Sequence, residues 1–122
     1  MGHPDDKLHT LLGRLQDDLT RFPTEGRMYA IAFDLDTAQL QQQYPNGSWQ
    51  NAYGDIKKVL TQLGFTWQQG SVYFGDANTV TAVTCVLAAQ NLSRTYPWFK
   101  SCVRDIRMLR IEELNDLGPA LL

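Results

Sequence analysis

Carboxylates, hydroxyls and guanidinium groups are the chemistry available to this chain, because both histidines, His3 and His9, fall in the N-terminal segment and the remainder has none. That excludes a Ser-His-Asp triad or a Cys-His pair built from the core, and it removes the usual general base and metal ligand. Asp34 is the first candidate. It closes the run Met28-Tyr29-Ala30-Ile31-Ala32-Phe33-Asp34-Leu35, in which Tyr29, Ile31, Phe33 and Leu35 share one face and Ala30, Ala32 and Asp34 the other. A strand-end carboxylate with two alanines beside it leaves space for a ligand, or for the same residue of a second subunit. If two such faces meet, the two copies of Asp34 could share a Mg²⁺ ion across the dyad. The plainer alternative is an ion pair with Arg104 or Arg107.

Asp34-Leu35-Asp36-Thr37 also has the Asp-x-Asp form with which haloacid dehalogenase-type phosphatases begin. Those enzymes need a doubly wound sheet and a downstream acidic pair for Mg²⁺, which this chain is too short to supply, so Asp36 reads instead as a turn or helix-start residue. Basic residues gather near the C-terminal end: Arg94, Lys100, Arg104, Arg107 and Arg110 against the single acid Asp105, with Tyr96, Trp98 and Phe99 interleaved. Positive charge that tracks phosphates beside rings that stack on bases is what single-stranded RNA binding requires, and the same cluster could equally be a solvated strand with ion pairs. Trp49, Trp67 and Trp98 are candidates for the core or a dimer interface, and Trp98 is the best placed of them to stack on a base. Ser71, beside Gly70, offers a hydroxyl at a bend.

The elements that must position these groups follow from periodicity. Leu8, Leu11, Leu12, Leu15 and Leu19 form a short amphipathic helix within residues 5–21, and Pro23 to Arg27 reads as a linker, so residues 1–27 form a docking or partner-binding arm. A domain over residues 28–122 follows, opening on the strand that carries Asp34. Thr37 to Tyr44 forms a short helix. Ser48 caps a longer one, along which Trp49, Ala52, Tyr53, Ile56, Val59, Leu60 and Leu63 fall on one face before Gly64 stops it. Phe65–Gln68 and Ser71–Phe74, joined at Gln69-Gly70, make a hairpin or a bulged bend; residues 78–92 have strand-favouring Thr79-Val80-Thr81 and Val83-Thr84 but read as a helix on length and the capping Asn78; and Val103–Ile111 is a last strand with Ile106 and Met108 on one face. The order is βαββαβ, which predicts an α+β ferredoxin-like sandwich with an extra N-terminal helix. Such a sheet has exposed edges and one uncovered face, and a homodimer is the natural way to bury them.

Size and composition agree. A chain of 122 residues supports one core, and 43% apolar with 20% charged residues is ordinary for a globular domain. A net charge of −2 advertises no global nucleic-acid binding, so any RNA contact must be local. No apolar run is long enough to span a bilayer and no secretory signal opens the chain, which predicts a cytoplasmic protein. Cys85 and Cys102 lack the paired spacing of a zinc or redox site and are expected as reduced structural thiols.

Three ordered motifs are more specific than any of these patterns. Met28 to Leu35, Leu63-Gly64-Phe65-x-Trp67-x-Gln69-Gly70-Ser71-Val72-Tyr73 and Trp98-Phe99-Lys100-x-x-Val103-Arg104-Asp105-Ile106-Arg107 resemble the virulence-associated protein D (VapD) family of small bacterial proteins. The resemblance implies a ferredoxin-like homodimer related to the small nuclease-like subunit of CRISPR spacer integration. It also implies endoribonuclease activity, often as the toxin of a toxin–antitoxin pair. Carried over residue by residue, the strand-end acid is Asp34, the hairpin serine Ser71 and the last-strand acid Asp105, so these three are the expected catalytic residues. Arg104, Arg107, Lys100, Arg110 and Trp98 are the expected RNA contacts, with Asp34 as the metal ligand if Mg²⁺ takes part. The segment before Met28 lies outside the family pattern and could dock on the active face or bind an antitoxin. The alternative function is a catalytically silent dimeric adaptor for nucleic acid or a protein partner.

Overall fold

A computed structural model describes residues 28–121. The expected N-terminal helix and linker lie outside the described residues. The elements are β1 (Met28–Leu35), α1 (Thr37–Gln43), α2 (Asn51–Gln62), β2 (Phe65–Gln69), β3 (Val72–Gly75), α3 (Ala82–Thr95), α4 (Phe99–Cys102) and β4 (Val103–Ile111), with a short 3₁₀ turn at Gly118–Ala120. The four strands form one sheet in the order β2-β3-β1-β4, every neighbouring pair antiparallel. This is the α+β ferredoxin-like arrangement expected: each long helix carries the chain over the neighbouring strand, so β1 lies between β3 and β4.

Alternation along β1 divides the molecule. Ile31, Phe33 and Leu35 are buried against the helices with Ala52, Ile56 and Leu60 of α2 and Cys85, Ala88 and Leu92 of α3. The opposite face carries Ala30, Ala32 and Asp34 of β1, and their partners in register are Leu109, Arg107 and Asp105 of β4. Because paired residues of an antiparallel ladder point the same way, those six side chains share one surface.

Helix boundaries differ from the sequence expectation at two caps. α2 starts at Asn51 rather than at Ser48. It is the Ser48 backbone carbonyl that accepts from the Asn51 N–H, while the Ser48 hydroxyl bonds to Gln50, so no side chain caps this helix. α3 is capped by Thr81 and not by Asn78. The Thr81 and Thr84 hydroxyls each accept from the other residue's backbone N–H, a reciprocal capping box. Asn78 belongs to the preceding turn, where its N–H donates to Asp76 at 2.7 Å. Cys85 and Cys102 are both buried and free, and burial pushes both thiols up, which keeps them protonated and unreactive.

Candidate active site

The site begins with an irregularity in the sheet. Asp34 pairs with Asp105 and Leu35 with Val103, so Arg104 is an extra residue on β4, a bulge that turns its side chain away from the ladder alternation. The guanidinium reaches Asp34 at 3.9 Å and Asp36 at 3.6 Å. Asp36 is at the same time the cap of α1, accepting the Gln39 N–H at 3.1 Å, which is the helix-start role read from the sequence. Arg104 therefore joins the end of β1 to the start of α1.

Two carboxylates directly opposite each other on neighbouring strands repel, and the register sets Asp34 against Asp105. Each has its own guanidinium. Arg104 lies at the outer limit of ion pairing with Asp34, whereas Arg107 Nε donates to both oxygens of Asp105, at 3.0 and 3.2 Å. The two aspartates thus differ in role: Asp105 is held by its arginine, and Asp34, with 61% of its side chain exposed, keeps most of its acceptor capacity. An exposed carboxylate beside two largely exposed guanidinium groups, Arg104 at 63% and Arg107 at 73%, can serve proton abstraction and phosphate neutralisation together.

The remaining expected residues are not brought to this cluster. Ser71 accepts the Phe33 N–H through its carbonyl at 3.1 Å and lines a groove on the helix side of the sheet with Phe33, Tyr53, Gly54, Lys57, Trp67 and Tyr73. Within one copy of the chain it therefore lies across the sheet from Asp34 and Asp105. Arg110 faces Tyr29, on the helix side of β1, and pairs with Glu112 at 3.7 Å, while exposed Lys100 sits on α4. The C-terminal basic cluster is thus divided between the two faces. Trp98 corrects the expectation of a stacking surface: it is 5% exposed, stacked on Tyr96 and edge-on to Tyr44 and Phe99, so its ring is occupied within the core. The accessible indole is Trp67, 47% exposed on the β2 edge. The sequence reading places Trp67 with the core or a dimer interface, because hydrophobicity alone cannot separate an edge ring from a core ring.

The Mg²⁺ expectation can be set against these donors. Among the described residues no three His, Cys, Asp or Glu side chains gather in one place. One copy offers two carboxylates, each beside an arginine, and this donor set does not fit a Mg²⁺ site by itself. Among the described residues no helix is long and apolar enough to cross a membrane.

No family model matches the chain. It is 56% identical over 94 residues to endoribonuclease VapD 2 of Riemerella anatipestifer, covering 77% of this chain and 99% of that protein. It is 55% identical over 94 residues to the endoribonuclease VapD homolog of Helicobacter pylori, covering 77% and 96%. Against endoribonuclease VapD of Dichelobacter nodosus the identity is 45% over 89 residues, covering 73% and 91%.

Proposed function

The chain belongs to the VapD family, and from that membership we propose that it is an endoribonuclease cutting single-stranded RNA at the paired aspartates Asp34 and Asp105. The observation that carries this reading is the asymmetry of the pair, one carboxylate open and one chelated by Arg107. Asp34 takes the proton from a ribose 2′-hydroxyl, whose oxygen attacks the adjacent phosphorus. The bond to the 5′-oxygen breaks and that oxygen takes a proton from solvent water, leaving a 2′,3′-cyclic phosphate and a 5′-hydroxyl end, while Asp34 returns its proton to solvent. Arg107, fixed by Asp105, and Arg104 neutralise the charge that builds on the phosphate oxygens. Lys100 and Arg110 contribute only to the wider attraction for the RNA strand.

A second copy of the chain packs on the apolar part of the face that carries the aspartates, with Asp34 and Asp105 at the edge of the contact and open to RNA. Support comes from its character: Leu109 is 45% exposed there, beside alanines 30 and 32, and none of the described helices packs on it. The role of toxin in a toxin–antitoxin pair, an antitoxin protein as partner, and a cytoplasmic location belong to the same proposal and rest on the family resemblance.

The test is cleavage of a labelled RNA and of the DNA of the same sequence, each with Mg²⁺ and with EDTA, followed by mass analysis of the new ends. RNA cut in EDTA to cyclic-phosphate ends, with DNA untouched, is the expected result. Loss of cutting in EDTA would instead place the chemistry on a metal shared between subunits, and DNA cleavage would remove the 2′-hydroxyl from the mechanism.

A further inference from the structure

The groove behind the sheet is built more carefully than its place away from the aspartates requires. It measures about 480 Å³ between α2 and the β2–β3 hairpin. One wall is Trp67, exposed but pinned, because its indole N–H donates to the Gly70 carbonyl at 2.9 Å. The register slip between Trp67 and Gln69 makes Gln68 the extra residue of a bulge, and Gly70, at φ +50°, makes the turn that lets the carbonyl meet the indole. Lys57 Nζ stands 5.1 Å from the centre of the Trp67 ring. Tyr53 and Ser71 also line it.

Gly54 gives this arrangement its meaning. It lies inside α2, where glycine is a poorer choice than almost any other residue, and its φ is not one that demands glycine. A Cβ added there would meet nothing within 4 Å, so close packing does not demand glycine either. What the missing side chain leaves is room in the groove.

Resting on the reading of the protein as an RNA-cutting enzyme, we propose that this groove is a nucleotide subsite that holds one unpaired base of the RNA against Trp67. The pinned indole offers a π-face at little entropic cost, and the space above Gly54 accommodates the base. Lys57, a flexible cation resting on that same ring face, gives it up to the base and moves to the neighbouring phosphate. Ser71 hydrogen-bonds the base edge or the ribose. Phe33 lines the groove and its chain neighbour Asp34 stands on the other face, so both features lie at the same end of β1.

The experiment measures binding of a fluorescent 2′-O-methyl oligoribonucleotide, which cannot react through its 2′-oxygen, to the full chain and to Gly54→Leu, Trp67→Ala, Lys57→Gln and Lys58→Gln. The first three are expected to weaken binding about 10-fold, the scale of one lost base–aromatic stack or one phosphate contact. Lys58→Gln removes an equal charge from the same helix outside the groove and is expected to bind as wild type. Gly54→Leu is also expected to melt at or above the wild-type temperature, since leucine is the better helix former, which separates a filled groove from a damaged fold. A folded Gly54→Leu protein that binds as tightly as wild type overturns the subsite whether or not the protein cuts RNA, as does a wild type that fails to bind the probe. If the groove variants lose binding while no form of the protein cleaves RNA, the subsite stands and the nuclease reading falls.

Discussion

At the scale of single residues, pairing decides which charged group is free to act. Arg107 is committed to Asp105 through Nε, yet a guanidinium has further N–H groups, and in the proposed mechanism it is these that bind the phosphate. Replacing Arg107 with Gln is expected to lower kcat/KM for RNA cleavage about 100-fold, as loss of one charge-stabilising donor commonly does, and steady-state kinetics on a labelled substrate measures it. A second pairing bears on stability. Tyr44 donates to Asp55 at 2.6 Å, and this hydrogen bond to the carboxylate, helped by burial, pushes the phenol up to about 12. The fold favours the neutral phenol. Its contribution is therefore whole below the unfolded value of about 10 and is lost as pH rises from there towards 12. Melting temperatures across pH 9 to 12 are expected to fall more steeply for wild type than for Tyr44→Phe, with the variant less stable at pH 7. Asp34 was legible as a candidate because a polar residue ending an apolar strand is visible in one dimension, Arg104 stood out only as a member of the basic cluster, and Asp105 was singled out by the family resemblance. For Trp98 the sequence left both a core place and a stacking role open, and Tyr44 and Tyr96 closing around its ring decide for the core.

At the scale of elements, periodicity located the first strand and the first long helix, because the 2-residue and 3.6-residue patterns come directly from which face is buried, whereas residues 78–92 fitted strand and helix alike and length decided for the helix. Caps were less legible. Asn78 and Thr81 are both good capping residues, and the choice fell to Thr81 because the Val80 backbone N–H is drawn back to the Asp76 carbonyl at 2.9 Å, which commits residues 76–80 to a turn. Val80 fills the space over Gly75, where an added Cβ would sit 2.5 Å from Val80 Cγ1. Thr81→Ala removes the side-chain half of the capping box and is expected to cost about 1 kcal/mol, lowering the melting temperature by roughly 4 °C in calorimetry. Of the two sheet bulges, the one beside the Gln69-Gly70 bend was legible and the one on β4 was not. The extra residue at Arg104 has no composition signal, yet it is what carries the guanidinium from β4 to the end of β1.

At the scale of the whole molecule, a sandwich with helices on one side of its sheet separates two surfaces, and the proposed functions divide along that line. The aspartates lie on the face proposed to meet a second copy and the groove lies behind the hairpin, so an RNA strand that uses both must pass round the end of β1 where Phe33 and Asp34 are neighbours. Light scattering is expected to return twice the 13.9 kDa chain mass for wild type, and Leu109→Glu, which puts two carboxylates into that contact, to shift the population towards monomer. The most direct test of the central claim is single-turnover cleavage of a single-stranded RNA by wild type and by Asp34→Asn, with RNA binding measured on both proteins. Asn keeps the size of the side chain and removes the proton acceptor, so a rate lower by about 10² to 10⁴ with unchanged binding is the expected result. Cleavage by Asp34→Asn at the wild-type rate would contradict the assignment of this carboxylate as the base.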